Sequence, residues 1–307
     1  MRDVVIIGGG PAGLAAGIYA VRAGLDAVLF ERGAPGGAVL NTERIENYPG
    51  FPGGIGGPEL VAQMEAHARQ LGLSIETNEV HEIKPEGDVF KLRTKKGEVE
   101  TRALIIATGT GPRPLNVEGE TRLRGRGVSY CAVCDGAFFR DQVVAVVGGG
   151  DAAVEEAHFL TKFASKVYLI HRRDELRAAK SLQERTLSNA KIEPLWSSVV
   201  IEIKGENAVE AVTVKNLKTE ETFDLKVDGV FVYVGIKPNS YIVEGLVELD
   251  KIGFIITDEN MQTSVPGIYA AGDVRKKPLR QIVTAVADGA VAAIAAEKYL
   301  AAKGSTK

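Results

Sequence analysis

The sequence predicts an α/β fold in which one dinucleotide-binding strand–helix–strand unit is used twice. Three observations predict it. The segment Val4-Val-Ile-Ile-Gly-Gly-Gly-Pro-Ala-Gly13 returns as Val144-Ala-Val-Val-Gly-Gly-Gly-Asp-Ala-Ala153, 140 positions later. Neither apolar run alternates with polar residues, as befits a parallel strand buried on both faces. Each glycine turn leads into an alanine-rich helical stretch and then into another strand.

In order, the first unit predicts a helix over 14–23 and a strand over 26–31, and strands over 89–93 and 98–107 follow, joined by the turn Lys95-Lys-Gly97. Pro112-Arg-Pro114 then breaks the chain. The second unit predicts a helix over 152–163, a strand over 166–171 and a hairpin of 208–218 with 221–227, before a second break at Gly235-Ile-Lys-Pro238. The last stretch, 252–307, carries a strand over 267–271 and a long C-terminal helix. The expectation is two Rossmann-like, three-layer domains: a discontinuous one of 1–112 and 243–307, and an inserted one of 113–242. Two adjacent linkers would form a hinge.

The chain has 307 residues, 45% of them hydrophobic, enough for a core in each of two domains. A net charge of −3 gives no attraction to nucleic acid or anionic lipid. The apolar stretch 282–296 is interrupted by Asp288 and Gly289 and is largely alanine, so it reads as a packed helix and not a membrane span. No charged-then-apolar leader precedes Val4, and two cysteines without a wider disulfide framework fit a cytoplasmic, reducing setting.

Those two cysteines stand together as Cys131-Ala-Val-Cys134, followed by Asp135. Such a pair is either redox-active or half of a zinc site. The zinc reading needs a second pair, and His67, His81, His158 and His171 have no metal-ligand spacing. A dithiol close to a nucleotide turn points to electrons passing from a cofactor into a disulfide.

In the first turn Gly8 permits the bend, Gly10 lets the backbone approach a pyrophosphate, and Gly13 allows close helix–strand contact. Phosphates then meet free N–H groups at the positive end of the helix. Glu31, 23 positions after Gly8, is placed for the ribose hydroxyls of an adenosine. The matching position after Gly148 is His171, followed by Arg172, Arg173 and then Arg177. Guanidiniums bind a 2′-phosphate that a carboxylate would repel, so the second nucleotide is expected to be NADPH. Ala153 replaces the third glycine, which the fingerprint tolerates. The first nucleotide is expected to be FAD, because a flavin accepts hydride and passes electrons to sulfur. Gly267-Ile-Tyr-Ala-Ala-Gly-Asp273 offers a carboxylate to a polyol chain, and Arg280 beside the last helix would stabilise negative charge on a reduced flavin.

Together, GGGPAG, ENYPGFP (46–52), ATG (107–109), CAVCDG, GGGDAA, HRRDELR and GIYAAGDV with RQIVTAVADG resemble the low-molecular-weight thioredoxin reductases across essentially the whole chain. The resemblance implies a homodimeric flavoenzyme that moves electrons from NADPH through FAD and the Cys131–Cys134 disulfide to a thioredoxin or glutaredoxin-like protein. It adds Pro11, Ala12, Arg32, Gly37, Asn47, Ala107, Thr108, Gly109 and Gly272 to the FAD residues, puts Asp273 on the ribityl chain, and sets Gln281 and Ile282 by the flavin ring. It adds Gly150, Asp151 and Ala152 to the NADPH residues, and makes Asp135 the acid/base group beside the dithiol.

Dithiol and NADPH turn fall in one domain, so that domain is expected to rotate between two arrangements. Reduced flavin then attacks one sulfur, taken as Cys134, Asp135 protonates a departing thiolate, and the dithiol turns outward for exchange. The family often has aromatics directly after CDG; here Ala137 precedes Phe138 and Phe139, which form a partner patch unless one is core. Arg122, Arg124 and Arg126 read as a solvated face, the alternative being that they position an acidic partner. Competing readings are a flavoprotein serving ferredoxin, which would lack the dithiol, and a peroxiredoxin-system reductase, which would add an N-terminal dithiol domain. A nucleotide sensor and a dimer clipped by zinc complete the alternatives. Some archaeal-type relatives use other electron donors and lose the basic cluster that is present here as His171, Arg172, Arg173 and Arg177.

Overall fold

A computed structural model describes residues 1–42 and 44–304. The chain divides into two compact units, Met1–Gly111 with Lys237–Lys307 and Pro112–Ile236. The first unit begins with β1 (Arg2–Ile7), α1 (Pro11–Arg22), β2 (Ala27–Glu31), α2 (Gly57–Gln70), β3 (Ser74–Thr77), β4 (Val80–Glu86), β5 (Val89–Thr94) and β6 (Gly97–Ile106). Helix α1 starts at Pro11 and not at 14, because proline suits the first helical position, where its missing N–H is not needed. Strands β2 and β6 flank β1 in parallel, and β3 pairs with β2. Strand β6 does two jobs: its first half is antiparallel to β5, which forms a hairpin with β4, while its second half lies in the parallel sheet.

The chain leaves this unit through β7 (Thr110–Pro112). The second unit contains β8 (Val128–Ser129), α3 (Ala132–Asp135), β9 (Val143–Gly148), α4 (Asp151–Leu160), β10 (Lys166–Ile170), α5 (Lys180–Leu187), β11 (Ile192–Leu195), β12 (Ser198–Lys204), β13 (Ala211–Asn216), β14 (Thr222–Lys226) and β15 (Gly229–Tyr233). Helix α4 stops at Leu160, short of 163, where Thr161 Oγ1 turns back to donate to His158 O at 2.7 Å. Its parallel sheet runs β11-β10-β9-β15-β8. The expected hairpin is present as β13 and β14, with β12 added as a third antiparallel strand.

The return strand β16 (Ile236–Pro238) pairs with β7, so the two expected breaks form one ribbon. The first unit resumes at Lys237, earlier than the 243 read from sequence. Asn239 and Ser240 are already bound into it, through Thr108 and Gly253. Strand β17 (Ile268–Ala270) then pairs with β6, and α6 (Ile282–Gly304) closes the unit.

Both units use the same three layers. Val4 and Ile6 of β1 share a core with Leu14, Ala16 and Ala20 of α1 and Ala292, Ala296 and Leu300 of α6. Small alanines let the two helices approach closely. Val5 and Ile7 point to the opposite face, against Val80, Phe90, Leu92 and Ile255. In the second unit Val144 and Val146 face Val154, Ala157 and Leu160 of α4. Ala145 and Val147 face Val200, Ile203, Val212 and Val214 of the antiparallel sheet. A large apolar side chain so buried contributes roughly 1.5–3 kcal/mol, so both strand faces are committed to apolar residues. Strand order reverses beside β1 in one unit and beside β9 in the other. Ligands bind at such reversals, off the carboxyl ends of the strands, where Gly8 and Gly148 stand.

Candidate active site

The first glycine turn is shaped by contacts only glycine allows. Gly8 has φ +110°, and a Cβ there would lie 2.4 Å from Ala107 O; one at Gly13 would lie 1.9 Å from Gly8 O. Gly10 is the opposite case. A Cβ there would meet no atom within 4 Å, so open space lies over the start of α1. No side chain caps this helix and Pro11 has no N–H, which leaves the first-turn amides of Ala12 and Gly13 open to an anion. Glu31 Oε2 accepts the Gly9 N–H at 2.7 Å and Oε1 accepts the Gly33 N–H at 3.0 Å. Each oxygen keeps a lone pair for a ribose hydroxyl. Arg32 is exposed beside it, and Gly37 abuts the turn, its Cβ position 3.4 Å from Gly10 Cα.

Other segments converge on this turn. Ala107 N–H donates to Ile7 O, and Thr108 Oγ1 donates to Asn239 O at 2.7 Å, which holds Ala107-Thr108-Gly109 beside Gly8. A Cβ on Gly272 would lie 2.8 Å from Ala12 Cβ, so the turn after β17 packs on the same helix start. Asp273 Oδ1 is buried there without a hydrogen-bond partner. Burial holds the Asp273 carboxyl above the usual carboxylate range, against the opposing pull of Lys277 and Arg280. Asn47 Nδ2 donates to Gln281 Oε1 at 3.0 Å, joining residues distant in sequence just before Ile282 opens α6. Arg280 is less free than its sequence role assumes. Its guanidinium lies 4.0 Å from the Phe254 ring centroid and donates to the carbonyls of Asp273 and Arg275.

Beneath Asp273 sits a buried ionic group. Asp288 Oδ2 accepts from Lys277 Nζ at 2.6 Å, Arg275 Nε at 3.0 Å and the Gly272 N–H at 3.1 Å. The Lys277 and Asp288 side chains are only 5% and 10% exposed. Two cations on one carboxylate leave excess positive charge under the Gly272–Asp273 turn.

The second turn repeats the first with altered chemistry. A Cβ on Gly148 would lie 2.5 Å from Tyr233 O and 2.6 Å from Ala153 Cβ, while Gly150 again faces open space. Gly150 caps α4 without a side chain, and Asp151 Oδ1 accepts the Ala179 N–H at 2.8 Å, with Ala152 next in the helix. His171 occupies the place of Glu31, its ring covering Gly149 as the Glu31 side chain covers Gly9. The ring is buried, and its Nε2 has no hydrogen-bond partner. Burial, followed by Arg177, pushes its pKa down, so the imidazole is neutral near pH 7 and contributes a hydrogen bond and not charge. Positive charge comes instead from Arg172, Arg173 and Arg177, all exposed. The neighbouring carboxylate of Asp174 is engaged by Lys218 at 2.7 Å.

In the same unit Cys131 and Cys134 form a disulfide, with 5.4 Å between Cα atoms. Cys131 Sγ accepts the Cys134 N–H, and Asp135 N–H closes the turn on Cys131 O at 3.1 Å. Cys134 is exposed and Cys131 half-buried. Two side-chain oxygens pin the start of this turn: Ser129 Oγ accepts the Cys131 N–H at 3.0 Å, and Tyr233 Oη accepts the Ala132 N–H at 2.8 Å. Ser129 Oγ also donates to Asp135 Oδ2 at 2.6 Å. Burial first, then Glu156, pushes the Tyr233 hydroxyl above the usual phenol range. Upstream, Tyr130 donates to the buried Glu120 at 2.7 Å and stacks under Arg124, while Arg122 binds the carbonyls of Gly205 and Glu206. Those two arginines therefore brace the approach to the dithiol. Of the paired phenylalanines, Phe139 is core, edge-on to Phe231, and Phe138 is 79% exposed.

Residues 2–289 match the model of the pyridine nucleotide-disulphide oxidoreductase family. The chain belongs to that family. It is 46% identical over 306 residues to a thioredoxin reductase of Peptoclostridium acidaminophilum, covering 98% of this chain and 97% of that one. The crystal structure of Lactococcus lactis thioredoxin reductase in its FR conformation matches with a TM-score of 0.96 at 48% identity, over 98% of this chain and 100% of that one. The thioredoxin reductase of T. acidophilum matches with a TM-score of 0.92 at 34% identity, over 97% and 98%. The protein is an oxidoreductase using FAD and NADPH. Its residues fit such cofactors: open space over Gly10 and Gly150, an unpartnered buried Asp273 oxygen, and exposed guanidiniums beside the second turn.

Sequence reasoning missed Ser129, Tyr233, Lys277 and Asn239 as parts of the site. Asp288 did carry a signal, an acid inside an apolar helix, but it reads there only as an interruption.

One prediction concerns Asp273. Its folded-state pKa lies above the unfolded one, so its ionisation costs the apoprotein stability as pH rises through the folded-state value. Asp273→Asn should stabilise the apoprotein near neutral pH, lose that advantage as pH falls and the native carboxyl protonates, and weaken FAD retention. Urea unfolding across pH, with flavin titration, checks this; a variant less stable than wild type at neutral pH would contradict it.

Proposed function

We propose that this protein is an NADPH-dependent thioredoxin-disulfide reductase, with FAD held by the first unit and NADPH by the second. The carrying observation is the Cys131–Cys134 disulfide in the same unit as a nucleotide turn flanked by three exposed arginines. Relatives that match nearly the whole chain are named thioredoxin reductases.

Flavin, when bound, accepts hydride from NADPH and delivers two electrons to the disulfide. Gly8, Gly10 and Gly13 shape its pyrophosphate site, Pro11 and Ala12 start the helix above it, Glu31 takes the ribose and Asp273 the polyol. Arg32, Gly37, Asn47, Ala107, Thr108, Gly109, Gly272, Arg280, Gln281 and Ile282 complete the walls. Gly148, Gly150, Asp151, Ala152, Ala153 and His171 orient NADPH, and the guanidiniums of Arg172, Arg173 and Arg177 select its 2′-phosphate. With flavin bound, Cys134, the more exposed of the two cysteines, would take the electrons first, and Asp135 would give a proton to a departing thiolate. Because disulfide and NADPH turn share a unit, that unit presents each in turn by rotation. The dithiol then reduces thioredoxin by exchange.

Two copies are proposed to assemble along α6. A groove of about 640 Å³ lined by Tyr19, Tyr269, Val291, Ile294, Lys298 and Tyr299 leaves Tyr19 43% and Val291 39% exposed. Grouped apolar exposure of this kind marks an association surface, and the implied homodimer supplies the partner. Among the described residues no helix is long and apolar enough to cross a membrane. The proposed location is the cytoplasm, where thiols stay reduced.

Cys134→Ser should retain flavin and its reduction by NADPH yet abolish turnover of thioredoxin; undiminished turnover would refute the dithiol's role. Arg172→Ala with Arg173→Ala should raise KM for NADPH by about 10- to 100-fold, through loss of charge-assisted bonds, and leave KM for NADH nearly unchanged. Equal effects on both nucleotides would rule out 2′-phosphate recognition. Val291→Arg should shift the sedimenting species from dimer to monomer, and an unchanged dimer would exclude this face.

A further inference from the structure

Ser129 closes β8 and is 4% exposed, so its hydroxyl is saturated by the protein and not by bulk water. Its backbone is fixed by parallel pairing with Phe231 of β15. Three atoms surround Oγ: Asp135 Oδ2 at 2.6 Å, Cys131 N at 3.0 Å and Cys131 O at 3.3 Å. A hydroxyl has one proton and two lone pairs. The Cys131 N–H fills a lone pair, so the proton must choose between a carboxyl oxygen and a backbone carbonyl. The carboxyl oxygen is nearer, and its bond becomes charge-assisted once the Asp135 proton has left. The remaining groups facing Asp135 are differently occupied: Tyr233 Oη, from β15, accepts the Ala132 N–H, and Glu156 of α4 acts on Tyr233.

We infer that Ser129 is a positioning residue for disulfide reduction, its hydroxyl fixing the Asp135 carboxyl group against the backbone of Cys131. The inference rests on Asp135 being the acid of the proposed reductase. Two electrons, supplied by NADPH through the established activity, cleave the S–S bond and leave two sulfurs to be charged or protonated. The Asp135 carboxyl proton passes to one departing thiolate, giving a thiol and a carboxylate. That carboxylate is the form to which the Ser129 hydroxyl donates, so the bond strengthens as the proton leaves. A structural role alone would need only the bond to the Cys131 N–H.

The test uses the flavin-loaded enzyme with NADPH under anaerobic rapid mixing, quenched by alkylation to count thiols, together with steady-state turnover of a thioredoxin disulfide. Ser129→Val keeps a branched shape without a hydroxyl, and Ser129→Thr keeps both. The expected result is dithiol formation slowed about tenfold in Ser129→Val, the scale of one lost charge-assisted bond. Flavin reduction by NADPH and KM for thioredoxin stay unchanged, and Ser129→Thr retains most of the rate. Ser129→Val combined with Asp135→Asn should be no slower than Asp135→Asn alone, because both act through one proton. Equal rates for the Thr and Val variants, or additive losses in the double variant, would overturn the inference. If Asp135→Asn itself forms the dithiol at the wild-type rate, the reading of Asp135 as acid fails and takes this inference with it. A slow Asp135→Asn beside a fast Ser129→Val defeats the inference alone.

Discussion

Both halves of this molecule depend on one close contact, between the first glycine after a central strand and a carbonyl of the neighbouring strand's end. In the first unit the partner is Ala107 O, and in the second it is Tyr233 O. A single methyl at either glycine would sit 2.4 or 2.5 Å from that oxygen. The contact brings the end of a second strand level with the turn. Residues 107–109 thereby line the first site, and the Tyr233 hydroxyl reaches the dithiol turn from a strand whose main chain touches Gly148. The second glycine turn and the disulfide turn are thus tied to one short piece of β15.

On this shared frame the two sites carry different chemistry. Glu31 and His171 occupy matching positions against the second glycine of each turn, one an acceptor fed by two backbone amides, the other a buried neutral ring. The first site adds a buried carboxyl oxygen without a hydrogen-bond partner, at Asp273, underlain by the Lys277–Asp288–Arg275 cluster. Buried ionic groups of this sort are weak sources of net stability and costly to break. Their use here is geometric: one carboxylate oxygen holds the Gly272 amide and two cations, so the turn has little freedom.

Much of this was legible from sequence because the glycine turns are local devices. Bend, close approach and helix start lie within a few residues, and their repetition exposed the duplication. The burial of His171 was not legible, since it depends on the packing of its ring over Gly149 and not on its arginine neighbours. Ser129 and Tyr233 gave no signal: one precedes the cysteines as an ordinary polar residue, and the other ends an apolar strand. Their roles arise only when β8 and β15 pair. The ribbon of β7 and β16 was equally hidden. Each strand is three residues long and contains proline, so nothing short of tertiary pairing reveals it.

That ribbon has a consequence for how such a chain arises. Pro112 and Ile236, the first and last residues of the second unit, belong to paired strands, and Arg113 N–H reaches Gly235 O at 3.0 Å. A domain whose ends meet can be spliced into a host at a single surface loop without stretching either partner. Insertion of the second unit at this point therefore asks for no rearrangement of its own fold.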